Sequence, residues 1–182
     1  FVGETPGQTI HVIHNGVSDI FCNQQLEPSV TPYVLFVGQR GGYKNFRLAL
    51  KAMAFLPDLE LHCVGGGPIS IEELNGVPES VVRRVRHLGF VSDEELNVLY
   101  NRAHCLVYPS SYEGFGIPVV EAMRSGCPVV SADCKAVIEV GRDALTIVAG
   151  SDPRAMADAI LKTASSERSN LVKKGLAVAQ GY

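Results

Sequence analysis

Two carboxylates, Glu113 and Glu121, flank seven residues in the stretch SYEGFGIPVVEAM (111–123). Gly114-Phe115-Gly116 follows the first acid and Pro118 precedes the second. Paired acids can act as the acid and base of glycoside hydrolysis or as acceptors for hydroxyl donors. The residues between them favour the second role. Proline is tolerated in the first turn of a helix, where its missing N–H costs nothing, so a helix is expected over 118–125, ended by Gly126. The amides of Gly116, Ile117 and Val119, with the positive end of the helix dipole, would then make an anion site. A hydrolytic acid needs a raised pKa and no anion beside it. Carboxylates flanking a phosphate make better sense as acceptors for sugar hydroxyls, Glu113 at one end of a glycosyl phosphate and Glu121 at a ribose on the other. Two simpler alternatives stay open: GFGIP as a tight strand-to-helix turn, and Glu121 as a helix-dipole partner worth about 0.3–1 kcal/mol.

Arg40 and Lys44 stand four apart in and just after the loop GQRGGYK. They could reach one crevice and neutralise a diphosphate, the arginine with a forked contact, or they could be two solvated surface charges. Gly38 in that loop and Gly66 in GGGP (65–68) are candidate ligand-binding residues, since glycine lets backbone approach a ligand closely, although GGGP alone is as readily a plain turn. GGGP lacks the spacing of a dinucleotide fingerprint, and the chain has neither a G-x-x-x-x-G-K-[ST] loop nor a G-x-S-x-G elbow. Nor is a metal expected. His11 and His14 have no partner motif, and the five cysteines, Cys22, Cys63, Cys105, Cys127 and Cys134, are scattered without a C-x-x-C. They read as reduced thiols, Cys63 and Cys105 inside strands.

These residues need a scaffold, and the rest of the sequence supplies one. Short apolar runs at 9–14, 33–38, 59–65, 104–110, 128–132 and 144–148 read as buried strands. Between and after them, 44–56, 92–103 and two closing stretches beyond Gly150 carry helical spacing, the second opened by a Ser92/Glu95 capping box. Strands alternating with helices imply an α/β fold, a doubly wound parallel sheet with helices on both faces. Such sheets bind ligands at the carboxyl ends of their strands, where GQRGGYK, GGGP, GFVSD (89–93) and SSYEGFGIP should open on one edge. At 182 residues, 46% hydrophobic, 19% charged and net charge −3, the chain reads as one globular domain over 1–182. That balance argues against nucleic acid and polybasic membrane surfaces. No apolar run approaches the roughly 18 residues of a membrane span.

In sequence order, VIHNGV (12–17), LFVGQRGGYKN (35–45), LHCVGGGP (61–68), HLGFVSDEELNVLYNRA (87–103), YPSSYEGFGIPVVEAMRSGCPVVSA (108–132) and GRDALTIV (141–148) resemble the retaining family 4 glycosyltransferases of the GT-B fold. The likeness is to their carboxyl-terminal, donor-binding, Rossmann-like domain, and the E-x7-E element is its most specific part. The resemblance implies that Glu113 contacts donor-sugar hydroxyls and Glu121 the ribose, while backbone over Gly114, Phe115, Gly116, Ile117 and Pro118 holds the diphosphate. Lys44 would offset charge on the departing nucleotide, and the base would rest near Phe90 and Val91. Arg40 departs from the pattern: many relatives place arginine directly after V-G, where this chain has Gln39.

The same resemblance implies hexosyl transfer, mannosyl or similar, from a UDP-, GDP- or ADP-linked sugar to a saccharide or lipid-linked acceptor. It implies no metal or other cofactor, a role in surface polysaccharide or lipopolysaccharide synthesis, and a cytoplasmic site at or near the inner membrane face. An amino-terminal acceptor domain is expected outside this chain, which starts at Phe1 and would bind donor with little transfer by itself. The alternatives are a nucleotide-sugar epimerase of GT-B-like fold and a non-catalytic nucleotide-sugar-binding domain.

Overall fold

The computed structural model describes residues 9, 11, 13, 15–164 and 166–182. Runs of Val, Leu, Ile and Cys form the strands β1 (Tyr33–Val37), β2 (Glu60–Val64), β3 (Val85–Gly89), β4 (Cys105–Tyr108), β5 (Val129–Ala132) and β6 (Leu145–Val148). The expected strand at 9–14 includes Ile10, Val12 and His14, which lie outside the described residues, as does the His11/His14 pair as a unit. β3 is the strand that pattern reading missed. It lies at one edge of the sheet, and Arg86 and His87 interrupt its sequence VRHLG, so it has no continuous apolar run.

All pairings are parallel, in the order β3-β2-β1-β4-β5-β6. The chain winds outward from β1 through β2 to β3, then returns past β1 to build β4, β5 and β6 on the other side. The reversal leaves a crevice at the carboxyl ends of β1 and β4, where doubly wound sheets hold ligands. Lys44 follows β1 and Glu113 follows β4, so this topology brings together residues 69 positions apart in the chain.

The helices are α1 (Phe46–Ala52), α2 (Ile71–Leu74), α3 (Glu79–Val82), α4 (Asp93–Arg102), α5 (Ile117–Arg124), α6 (Lys135–Gly141), α7 (Pro153–Lys162) and α8 (Arg168–Ala179). Short 3₁₀ turns at 42–44 and 53–55 bracket α1, so the single helix expected over 44–56 is divided, with Asn45 left-handed (φ 48°) at the junction. The short helices α2, α3 and α6 were not foreseen; four to seven residues hold too few turns for periodicity to show. α4 begins on the expected capping box, Ser92 with Glu95, and α2 begins on a second one, Ser70 with Glu73.

Alternation along the strands divides the core between two faces. Leu35 and Leu106 pack with Tyr100, Val119 and Met123 under α4, α5 and α8. Val34, Phe36, Leu61 and Val107 pack with Phe46, Leu50, Met156 and Ile160 under α1 and α7. Burial on both faces is why β4 and β5 read as continuous apolar runs. All five cysteines are free, and Cys22 alone of them is exposed. Burial pushes the Cys63 and Cys127 thiols up to about 12, well away from reactive thiolate. No described helix is long and apolar enough to cross a membrane.

Candidate functional site

The loop from β4 to α5 follows from local chemistry. Gly116 takes φ 100°, a left-handed conformation that favours glycine, and a Cβ there would also meet Val137 at 3.4 Å. α5 then starts at Ile117 with Pro118 in its first turn and ends before Gly126, itself at φ 71°. One detail differs from expectation. The Val119 amide is not available to a ligand, because it donates to the Gly116 carbonyl at 2.9 Å. The Gly116 and Ile117 amides have no partner among the described residues, and they stand at the positive end of α5.

Beside this terminus lies an open cleft of about 450 Å³, lined by Asn15, Lys44, Tyr108, Glu113, Gly114, Phe115, Gly116, Ile117 and Pro118. Lys44 Nζ bonds Glu113 Oε1 at 2.7 Å, with both side chains nearly buried. It also donates to the Tyr108 hydroxyl at 3.3 Å and lies 5.2 Å from the centroid of the Tyr108 ring. Burial, reinforced by the neighbouring Glu113 charge, pushes the Tyr108 phenol far above its ordinary range, so the hydroxyl stays protonated. The Lys44 loop is tied to the Glu113 loop by backbone: Ser111 N–H donates to Tyr43 O at 2.9 Å, and Asn45 Nδ2 to Pro109 O at 3.1 Å. The ion pair therefore sits across a braced junction rather than between two free loops.

Glu121 lies on the same helix one turn further along, away from the cleft lining. It is half-buried between α5 and α4, where the fully buried Tyr100 donates its hydroxyl to Glu121 Oε2 at 3.0 Å. Burial raises the Glu121 pKa, the Tyr100 hydrogen bond opposes that rise, and the like charge of Asp93 on α4 adds to it. α4 also leads back to Phe90 and Val91: Phe90 is exposed just beyond the end of β3, and Val91 packs on the core. The structure thus sets Glu121 apart from the Lys44–Glu113 cleft, against Tyr100 and Asp93 of α4.

Arg40 belongs to neither, and the expectation that it shares a crevice with Lys44 is not met. The side chain is buried, its Nε donating to Glu73 Oε1 at 2.8 Å. Its other nitrogens donate to the carbonyls of Gly65 (2.8 Å), Gly66 (3.1 Å), Gly67 (2.6 Å) and Pro68 (3.0 Å). A guanidinium whose fork is filled by carbonyl oxygens braces the GGGP loop, and its pair with Glu73 ties α2 to the same point. Gly38 and Gly66 are likewise structural neighbours. A Cβ on Gly66 would come within 3.0 Å of the Gly38 carbonyl and 2.8 Å of Arg40 Nη1, so the two loops pack backbone to backbone.

Pattern reading missed the polar contributions of Tyr108 and Tyr100. Tyr108 ends a strand at the ligand edge, which was a signal. Tyr100 is buried on the core face of α4, where a phenol needs a hydrogen-bond partner. No cluster of His, Cys, Asp or Glu able to hold a metal occurs among the described residues.

Residues 31–166 match the family model described as Glycosyl transferases group 1. The chain is 33% identical over 162 residues to O-antigen chain mannosyltransferase B of Escherichia coli, covering 82% of this chain and 42% of that protein. It is 34% identical over 159 residues to the O-antigen chain mannosyltransferase RfbU of Salmonella typhimurium, covering 84% and 44%. Among solved structures, sucrose-phosphate synthase from Thermosynechococcus elongatus aligns with a TM-score of 0.76 at 29% identity, over 89% of this chain and 45% of that one. The chain thus spans less than half the length of each of these relatives. The epimerase alternative finds no support in them.

Proposed function

The chain belongs to the glycosyl transferases group 1 family, and we propose that it is the donor-binding domain of a GT-B enzyme that transfers a hexosyl group, with retention, from a nucleoside diphosphate sugar. The named mannosyltransferase relatives favour mannose as that group and a saccharide or lipid-linked acceptor. One observation carries the reading: at the crevice between β1 and β4, the Lys44–Glu113 ion pair (2.7 Å) lies beside the unpartnered Gly116 and Ile117 amides of α5.

An ammonium and a helix amino terminus are the groups that stabilise negative charge growing on a leaving diphosphate, and they do so without a metal. In this reading Lys44 turns from Glu113 to the phosphates when donor binds, and the sugar hydroxyls take its place as donors to Glu113. The Gly114–Pro118 backbone holds the diphosphate, Glu121 accepts from the ribose, and the base rests on Phe90 and Val91. The acceptor is held by a domain outside this chain, so the isolated chain binds donor and transfers little. A cytoplasmic site, peripheral to the inner membrane face, goes with this reading.

Calorimetric titration of the chain with UDP, GDP and ADP, with chelator present, tests it. The expected result is saturable binding of one of them, weakened about tenfold by Lys44→Ala, since a charge-assisted contact is lost, and weakened also by Glu121→Gln. Binding indifferent to both substitutions would remove the site from this edge, and failure of all three nucleotides to bind would overturn the donor-domain reading. Rapid transfer by the chain alone would contradict the assignment of the acceptor to another domain.

A further inference from the structure

Glu121 is held in an unusual way for a surface helix carboxylate. Its Oε2 accepts from Tyr100, a phenol wholly enclosed between α4 and the sheet, while its Oε1 has no partner among the described residues. Tyr100 is itself fixed, packed edge to face against Phe21 with ring centroids 6.0 Å apart. A side chain anchored at one oxygen by a rigid donor, with the other oxygen left open, is preorganised to accept one hydrogen bond. Ser125 locks the same turn from behind: its single hydroxyl proton lies between two acceptors, Asn97 Oδ1 of α4 at 2.7 Å and the Glu121 carbonyl at 2.8 Å. α4 and α5 are thereby fixed in register at the carboxylate.

We propose that Tyr100 is a positioning residue for Glu121, aiming its carboxylate so that Oε1 accepts from a ribose hydroxyl of the nucleotide. This rests on the donor-domain reading and adds to it a residue that touches no substrate. The titratable groups acting on Glu121 are Tyr100 and Asp93, both from α4. Burial and Asp93 favour the protonated acid and the Tyr100 hydrogen bond favours the carboxylate, so loss of the phenol hydroxyl raises the pKa further.

The test compares wild type, Tyr100→Phe, Glu121→Gln and the double variant. Each is titrated from acid to neutral pH with whichever of UDP, GDP and ADP binds, and with its 2′,3′-dideoxy analogue. Wild type should bind the ribose form about tenfold more tightly than the dideoxy form. Tyr100→Phe should lose most of that preference, and the acid limb of its binding curve should move to higher pH. Glu121→Gln should lose both the preference and the limb, and the double variant should bind no more weakly than Glu121→Gln. Thermal melting checks that the phenylalanine preserves the fold, and the Glu121→Gln profile tests the carboxylate's role independently of it. A Tyr100→Phe variant that keeps both the preference and the acid limb overturns the inference while the donor reading stands, as does a wild type indifferent to the ribose hydroxyls. Absence of nucleotide binding by wild type overturns both.

Discussion

At the scale of single residues, the two acids separated by seven positions have acquired opposite environments. Glu113 is neutralised by Lys44, whereas Glu121 has no ion-pair partner among the described residues and is held by the Tyr100 phenol. That difference has a consequence for stability. A carboxyl whose folded-state pKa lies above its unfolded value contributes stability in acid and loses it as pH rises through the folded pKa. At neutral pH, Glu121 is therefore a small liability, and Glu121→Gln should melt at a higher temperature than wild type. The gap should close as pH falls through the raised pKa of Glu121, because the protonated acid and the amide are then both neutral. Melting curves across that range check the sign: a variant less stable at pH 7 would mean that the ionised carboxylate is better satisfied than burial suggests. Gaining stability while losing ligand is the trade expected where a site holds a partly buried charge.

At the scale of elements, Arg40 acts as a clamp. Its fork gathers the carbonyls of 65–68 and its Nε holds Glu73 in the first turn of α2, so one side chain organises the whole turn after β2. Removing it strands several carbonyls and an acid together. Arg40→Ala should cost about 2–3 kcal/mol, the scale of a lost charge-assisted network, and should speed amide hydrogen exchange across residues 66–74 while leaving α5 protected. Exchange that rises equally over both regions would show that Arg40 supports the entire edge rather than one loop. Acid should loosen the same turn: although burial works against it, the Ser70 backbone and Arg40 hold the Glu73 carboxyl below its ordinary range, so its contribution is present at neutral pH and fades as pH falls through that lowered value.

At the scale of the whole molecule, one sheet carries two cores, and the site sits where the two halves of the winding meet. Leu106 on one face and Leu61 on the other are both fully buried. Leu106→Ala and Leu61→Ala should each cost about 2–5 kcal/mol. Because both faces rest on the same strands, each variant should still unfold in one transition, with far-ultraviolet dichroism and tyrosine fluorescence coinciding. Separate transitions for the two probes would show that the faces fold independently.

The sequence by itself determined the α/β class, five of the six strands, the capping of α4, and the turn at Gly116 and Pro118. Each of these is written in contiguous residues: apolar runs of strand length, a Ser and Glu three apart, a glycine and a proline beside each other. The edge strand β3 escaped because a strand with partners on one side needs no continuous apolar run. Other facts depended on the tertiary structure because their causes lie far apart in the chain. The strand order set Lys44 against Glu113; the packing of α4 on α5 gave Glu121 its phenol. The approach of the GGGP backbone spent Arg40 on carbonyl oxygens, because a guanidinium takes whichever acceptors lie nearest in space, and residue spacing along the chain does not fix which those are.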